Sequence, residues 1–236
     1  IIARLFRKAR DEHLTLVSLM AEPPMKNAVE RLLMPAFIFF FKLLYPFGLA
    51  NNPTSRMAAA AGGCILVETQ ALRSIGAFAN LHNALIDDCT LAAHVKRAGL
   101  QTWIGLSRAV RSHRGYQTLK PIWEMVARTA YTQLRYSLLL LIICTVIMIS
   151  MFWAAPLAFL MLPAHEIYIL SVLAWVAMFL TYIPTLIYYQ RSPLWGLTLP
   201  IIGTLYLAMT WTSALRYWRG ERACWKDRRY ESNANN

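Results

Sequence analysis

Three stretches without a charged side chain, Ser137 to Ala164, Ile167 to Gln190 and Ser192 to Leu215, limit what this chain can fold into. A helix crosses a hydrocarbon core of about 30 Å with about 20 apolar residues, and each stretch is longer than that. Each Leu, Ile, Val or Phe near the centre of such a helix favours insertion by roughly 0.3–0.6 kcal/mol. The competing fold, three buried core helices, needs more surrounding protein than a chain of 236 residues supplies. With 57% of residues hydrophobic and 15% charged, the composition is too apolar for an ordinary soluble domain. We expect three transmembrane helices over residues 137–215, separated near Pro163–Glu166 and Gln190–Pro193.

Their orientation leaves two arrangements open. The first short loop carries no Lys or Arg and should face outward, with the basic segment before Ser137 inside. Three crossings would put the tail, residues 216–236, outside. Arg216, Arg219, Arg222, Lys226, Arg228 and Arg229 argue that it stays inside. Either Leu194–Leu215, with Pro193, Gly196, Pro200 and Gly203 in or beside it, is re-entrant, or one segment does not span.

Ahead of the membrane region the pattern is α/β. Ile1 to Glu12 has helical spacing, and Leu14 to Met20 is an apolar run of strand length ended by Pro23-Pro24. Glu30 to Leu49 is apolar and aromatic but interrupted by Pro35, Lys42 and Pro46, which fits a helix lying in the membrane interface better than a crossing. Asn51 to Ser55 is a loop, and Gly62-Gly63 lets backbone approach a ligand closely. Cys64–Val67 is strand-like, Thr69–Ile75 a short helix closed by Gly76, and Thr102–Leu106 another strand. Arg108, Arg111, His113 and Arg114 form a basic run best explained as a solvated face. Ile122 to Tyr136 is amphipathic, with Arg128 and Arg135 about two helical turns apart and Trp123, Tyr131 and Tyr136 suited to a bilayer interface.

Lys and Arg outnumber Asp and Glu 24 to 12, a net charge of +12. The basic residues do not form one block and accompany no nucleic-acid-binding motif, so anionic headgroups and a phosphate-bearing substrate are the expected partners rather than nucleic acid. Cys64, Cys89, Cys144 and Cys224 show neither metal-ligand spacing nor the density of a disulfide scaffold. The five His are scattered, and no zinc is expected. The chain begins Ile-Ile-Ala-Arg without a signal-peptide pattern and is expected to be the later part of a longer protein.

Against this basic background, the only carboxylates between Arg31 and Val110 are Glu68, Asp87 and Asp88. Asp87 fits a helix N-cap and Asp88 the first turn, where the dipole favours negative charge. Lys96 and Arg97 fall in the last turn and Gly99 stops the helix. The same position would also leave Asp88 free to act as a general base toward a substrate hydroxyl. The residues alone permit both.

Taken in order, Gly62-Gly63-Cys-Ile-Leu-Val, Ala71-Leu-Arg-Ser-Ile-Gly76, Ile86-Asp87-Asp88-Cys-Thr-Leu91 and Val95-Lys-Arg-Ala-Gly99 resemble the acceptor half of membrane family 2 glycosyltransferases. That group contains cellulose synthase and ceramide glucosyltransferase. The run Ala127-Arg128-Thr-Ala-Tyr-Thr-Gln-Leu-Arg135-Tyr136 and the sequence Trp225-Lys-Asp-Arg-Arg-Tyr230 look most like the bacterial hopene-associated members. The resemblance implies an incomplete GT-A-like, Rossmann-like α/β catalytic part over residues 1–121, with the interfacial segment near 30–49. An amphipathic interfacial helix over 122–136, the membrane helices and the basic tail would follow.

It implies Asp88 as the catalytic base with Asp87 beside it. The family's Gln-x-x-Arg-Trp motif, which binds the donor diphosphate and lines the acceptor site, corresponds to Thr132-Gln133-Leu134-Arg135-Tyr136. Tyr136 stands where Trp is usual, and Gln133 is displaced by one residue. Arg128, Gly62 and Gly63 belong to the same expected donor and acceptor surroundings. The family's Asp-x-Asp metal motif does not occur here; by resemblance it would lie shortly before Ile1 and bind Mg²⁺ or Mn²⁺, so no metal ligand is expected in this chain.

The expected activity is inverting sugar transfer from a nucleotide sugar, a UDP-sugar, to a lipid acceptor, in hopanoid or related lipid metabolism. The setting would be a bacterial inner membrane with the catalytic part cytoplasmic. The alternative is a non-catalytic membrane scaffold or transporter subunit whose Asp pair only caps a helix. The scarcity of ionisable residues within the spans disfavours an ion path.

Overall fold

The computed structural model describes residues 1–76, 87–113, 115–161, 165–221, 224–225 and 228–229. Residues 77–86, Arg114, and Pro163 and Ala164 of the Pro163–Glu166 turn lie outside those residues, as do Arg222, Lys226 and Tyr230 of the tail. The chain divides into two compact units, Ile1–Met25 with Phe37–Gly115, and Lys26–Ala36 with Tyr116–Asn236.

The first unit is built on a mixed, open sheet flanked by helices, the Rossmann-like arrangement expected. Helix α1 (Ile2–Asp11) leads into β1 (Leu16–Glu22), the central strand. Strand β2 (Ile65–Val67) pairs antiparallel to it, with Ser18 opposite Ile65. Strand β3 (Thr102–Arg111) pairs parallel, from Leu16 opposite Thr102 to Met20 opposite Leu106. Leu16, Val17 and Ser18 have no exposed surface, as a strand covered on both faces requires. Helix α5 (Asp87–Arg97) brings Ala92 and Val95 against Leu16, Ala58 and Ala60. On the edge strand β3, the Asn51 side chain takes the place of a neighbour: its Nδ2 donates to Ile104 O at 2.9 Å and its Oδ1 accepts from Ile104 N at 2.7 Å.

Strand β3 runs five residues past the expected end at Leu106, so Arg108 and Arg111 lie on a strand and not in a separate basic segment. The extension has little apolar character of its own. Backbone pairing carries it past an irregularity, with Arg111 opposite Glu22 and the two side chains joined at 2.9 Å. Both arginines are exposed, in keeping with the solvated face expected of them. Strand β1 starts two residues later than expected because α1 ends in a left-handed turn at His13 (φ 54°).

Helix α2 (Ala28–Leu44) continues through Pro35, and α3 (Phe47–Ala50) follows Pro46. Its start compensates for the missing proline N–H. Asn27 Oδ1 accepts from Glu30 N at 2.9 Å, while Glu30 Oε2 accepts from Lys26 N at 2.8 Å and Asn27 N at 3.4 Å, a reciprocal capping box. Glu30 Oε1 also accepts from Tyr116 N, and Asn27 Nδ2 donates to Tyr116 O at 2.9 Å. Within α2, Leu33, Met34, Ala36, Ile38 and Phe39 are buried, while Leu43, Leu44 and, in α3, Leu49 are exposed. A short helix, α4 (Thr69–Ser74), follows β2.

In the second unit, α6 (Leu119–Gln133) precedes α7 (Leu138–Met161), α8 (His165–Tyr188), a 3₁₀ turn (Pro193–Thr198) and α9 (Leu199–Trp218). Three segments, Leu138–Met161, His165–Tyr188 and Pro193–Trp218, are long and apolar enough to cross a membrane. Their outward surfaces carry Leu139, Ile147, Leu160, Leu170, Leu173 and Leu180 in exposed positions. A soluble protein does not expose apolar side chains on that scale, so the competing fold of buried core helices fails.

The prolines and glycines that raised the re-entrant alternative each have another use. Pro193 and Pro200 begin the 3₁₀ turn and α9, where a missing N–H costs nothing. A Cβ at Gly196 or Gly203 would stand 2.5 Å from the ring of Phe179 or Phe152, so both glycines seat aromatic rings at helix contacts. Helix α9 is unbroken over 20 residues. Helices α7 and α9 are joined by Trp153 Nε1 donating to Thr204 Oγ1 at 2.8 Å and Trp211 Nε1 donating to Thr145 Oγ1 at 3.0 Å. In the tail, β4 (Cys224–Trp225) and β5 (Arg228–Arg229) pair antiparallel.

Glu30 has 1% of its surface exposed. Burial works to raise its pKa, but the backbone N–H donors of Tyr116, Lys26 and Asn27 together outweigh it and the carboxyl lies below its usual range. A depressed carboxyl stabilises the fold above its unfolded pKa and loses that contribution as pH falls through the folded value. Glu30→Ala should lower stability by about 2 kcal/mol in thermal unfolding of the detergent-solubilised chain at pH 7. The difference from wild type should shrink on acidification.

Candidate active site

Helix α5 begins at Asp87, so Asp87 and Asp88 occupy its first turn and Asp87 is not the residue before it, as expected from sequence. Asp87 Oδ1 accepts from Asp88 N at 3.0 Å, and Asp88 Oδ1 accepts from Cys89 N at 2.7 Å. The other Asp88 oxygen turns away from its own helix and accepts from Gly62 N at 2.8 Å. Helix capping does not require that third bond. It fixes the plane of a half-buried carboxylate from two elements distant in sequence.

Gly62 is itself held from the sheet. Ser18, fully buried at the centre of β1, accepts from Ala61 N at 2.8 Å and donates to Ala61 O at 3.1 Å. The next residue is the one that reaches Asp88. Gly63 passes so near β1 that a Cβ there would lie 3.0 Å from the Ala21 Cβ. The close approach that the glycine pair permits is thus, within the described residues, to the chain itself. Lys96, at the far end of α5, donates to Ala50 O at 2.7 Å and Met57 O at 2.6 Å and holds the loop that leads to Gly62. Neither Ser18 nor Lys96 was identifiable from sequence as part of this support: one is a polar residue within an apolar run, the other resembles a last-turn helix cation.

Burial raises the Asp88 pKa, opposed by the Cys89 and Gly62 N–H groups and reinforced by the neighbouring Asp87 charge; the net direction is up. A carboxylate more basic than usual is suited to accepting a proton. The adjacent Cys89 thiol is buried and, through that burial and the charge of Asp88, pushed up to about 12, so it is an inert filler.

The second group of expected site residues lies in the second unit. Helix α6 ends at Gln133, so Arg135 and Tyr136 are beyond it and do not continue the face that carries Arg128. Both have left-handed backbone, φ 52° and 55°. Arg135 N donates to Thr132 O at 2.9 Å and Tyr136 N to Tyr131 O at 3.1 Å, the paired bonds of a Schellman helix end with Arg135 where Gly is favoured. Helix α5 closes in the same way on Gly99 (φ 78°). His13 and Gln190 also take that position in their own helix ends, but among the described residues only here is the following residue left-handed as well. A left-handed non-glycine residue costs roughly 1–2 kcal/mol, and strain of this kind concentrates at functional sites.

Side chains sustain the turn. Tyr131, 1% exposed, donates its hydroxyl to Tyr136 O at 2.8 Å, and the Thr132 hydroxyl donates to Tyr136 Oη at 3.0 Å. Tyr131 N in turn donates to Ser213 Oγ of α9 at 3.0 Å. Arg135 is exposed, and its guanidinium has no hydrogen bond or ion pair among the described residues. Arg128 and Gln133 are half-buried on α6 and both have partners. Asp87, Asp88, Gly62 and Gly63 therefore form one assembly, and Thr132, Arg135 and Tyr136 another. Among the described residues, no group of three or more His, Cys, Asp or Glu side chains is placed to hold a metal ion.

A sheet-and-helix unit, together with three helices of membrane-spanning length, defines a membrane-associated protein. The sequence model of glycosyl transferase family 21 matches residues 1–235, and the chain belongs to that family. It is a membrane-associated transferase, with a sugar donor and an acceptor as its general partners. No curated protein and no solved structure matches it.

An acid whose folded pKa is raised stabilises the fold below its unfolded pKa and loses that contribution as pH rises through the folded value. Asp88→Asn offers one acceptor where Asp88 offers two, so the Gly62 or the Cys89 N–H loses its partner and the variant should melt below wild type at pH 7. The gap should widen as pH falls through the carboxylate range, where only wild type gains stability. Arg135→Gly should raise stability by about 0.5–1 kcal/mol, the left-handed penalty removed less the extra entropy that Gly carries when unfolded. The same variant should lose activity, read in parallel thermal melts and transfer assays.

Proposed function

We propose that this chain transfers a sugar from a nucleotide-sugar donor to the hydroxyl of a lipid at the membrane surface, with inversion at the anomeric carbon. The observation that carries this reading is the Asp88 carboxylate, held by Gly62 N–H at the start of α5 and made more basic by burial, in a chain of a glycosyltransferase family. Asp88 would take the acceptor hydroxyl's proton as that oxygen bonds to the anomeric carbon and the nucleoside diphosphate departs. Asp87 would sustain the charge pattern beside it. Arg135, with Thr132 and Tyr136 beside it and Gln133 and Arg128 contributing from α6, would offset the charge gathering on the diphosphate, for which a guanidinium fork is well shaped.

Membrane-embedded helices favour a lipid as acceptor, and the motifs favour a family 2-like enzyme acting in hopanoid or related lipid metabolism. The donor in this reading is a UDP-sugar, and the setting is a bacterial inner membrane with the catalytic part cytoplasmic. Mg²⁺ or Mn²⁺, when bound, would neutralise donor phosphate charge; no described side chains are assigned to it. A non-catalytic scaffold is the second reading, favoured by the Asp87 and Asp88 bonds to N–H groups of their own helix.

The deciding experiment incubates the full-length protein in membranes with extracted lipids and a panel of labelled nucleotide sugars. Label should appear in lipid from at least one donor, and Asp88→Asn should cut it by roughly 10²–10⁴-fold, the usual value of a general base. Transfer should fail on the acid side at a higher pH than an unperturbed Asp would give. Label unaffected by Asp88→Asn, or none from any donor, would favour the scaffold.

A further inference from the structure

The left-handed pair at Arg135 and Tyr136 needs more than the peptide bonds that close α6. Elsewhere those bonds hold one left-handed residue, as at His13, Gly99, Gln190 and Gly220, and the chain then returns to ordinary backbone. At Tyr136 it does not return. What distinguishes this helix end is the ring of Tyr217, from the last turn of α9, which lies 4.5 Å from the Tyr136 ring at 22°. The two rings are stacked face to face. Tyr131 meets both rings edge-on, at 5.7 Å and 5.5 Å.

Tyr217 is in turn fixed against α6. Its neighbour Arg216 holds Glu124 of α6 through two bonds, at 2.5 and 2.9 Å. The ring therefore reaches Tyr136 from a helix end already tied to α6. Arg135, by contrast, has no side-chain partner of its own among the described residues. Its direction comes from its backbone, which the Tyr136 stack secures.

We propose that Tyr217 is a positioning residue for Arg135: by stacking on Tyr136 it keeps the second left-handed residue in place and so sets the direction in which the guanidinium leaves the end of α6. This rests on the assignment of Arg135 to the donor diphosphate. Tyr217 touches no substrate in this account. The ring, and not the hydroxyl, makes these contacts.

The test compares wild type, Tyr217→Phe and Tyr217→Leu in the full-length membrane-embedded protein. Amide hydrogen exchange at Arg135 and Tyr136 should rise about tenfold in Tyr217→Leu and stay at the wild-type rate in Tyr217→Phe, with exchange along α7 unchanged. With the UDP-sugar that labels lipid most strongly, Tyr217→Leu should lower kcat about tenfold with little change in the acceptor KM, and Tyr217→Phe should restore it. Unchanged exchange at the turn, an equal rise throughout α7 and α9, or a wild-type kcat in Tyr217→Leu would overturn the proposal. Should the wild-type protein transfer nothing, the assignment of function falls, while the exchange comparison still decides whether Tyr217 holds the turn.

Discussion

One buried hydroxyl, that of Ser18, organises the first unit around its carboxylate. It accepts from the backbone N–H of Ala61 and donates to its C=O from the middle of the sheet, in a place where leaving the N–H unpaired would cost about 1–3 kcal/mol. That bond brings the Gly62 N–H to Asp88. The carboxylate is thereby set by a strand, a loop and a helix at once, and its geometry does not depend on the helix start alone. The arrangement follows a general rule for reactive groups: a rigid element carries the side chain, and backbone from elsewhere fixes its orientation.

The second unit achieves similar definition with less apolar driving force, since helices surrounded by lipid gain little from hiding Leu and Ile from one another. What holds them are close approaches at small residues and a few hydrogen bonds. Phe152 against Gly203 and Phe179 against Gly196 supply the first, and the two Trp–Thr pairs the second. At the end of α9, Thr212 accepts from Trp123, Ser213 from Tyr131 N and Arg216 pairs with Glu124. Residues eight positions apart on α6 thus meet a stretch of five on α9, which is how a helix lying across the end of another makes contact.

Much of this was legible in the chain because it depends on local pattern. The apolar run at Leu16, the helix starting at the Asp pair and stopping at Gly99, and the three uncharged stretches all carry their own signals. The failures share a different cause. Helix α2 survives Pro35 because Asn27 and Glu30 anchor its start, partly to Tyr116, nearly ninety residues away. Strand β3 outruns its apolar residues because Glu22 pairs with Arg111. Pro200 and Gly203 look like breakers in isolation and become a helix start and a seat for a ring. For the site, the sequence pointed to Asp88 through its isolation among cations, but it held no sign of Ser18 or of the left-handed turn at Arg135. Nothing in the local sequence marks that helix end as glycine would; only the aromatic residues packed around it make it tolerable.

The paired indoles between α7 and α9 also constrain how these helices can move. Thr145 and Trp153 are about 12 Å apart along α7, Thr204 and Trp211 about 10.5 Å apart along α9, and donor and acceptor alternate between the two. Sliding one helix past the other by a single turn would break both bonds together and leave two indole N–H groups facing hydrocarbon. Tilting or rocking about the seam costs far less. The two helices are therefore free to pivot but locked in depth, so a change in bilayer thickness would be met by leaning and not by a change of register.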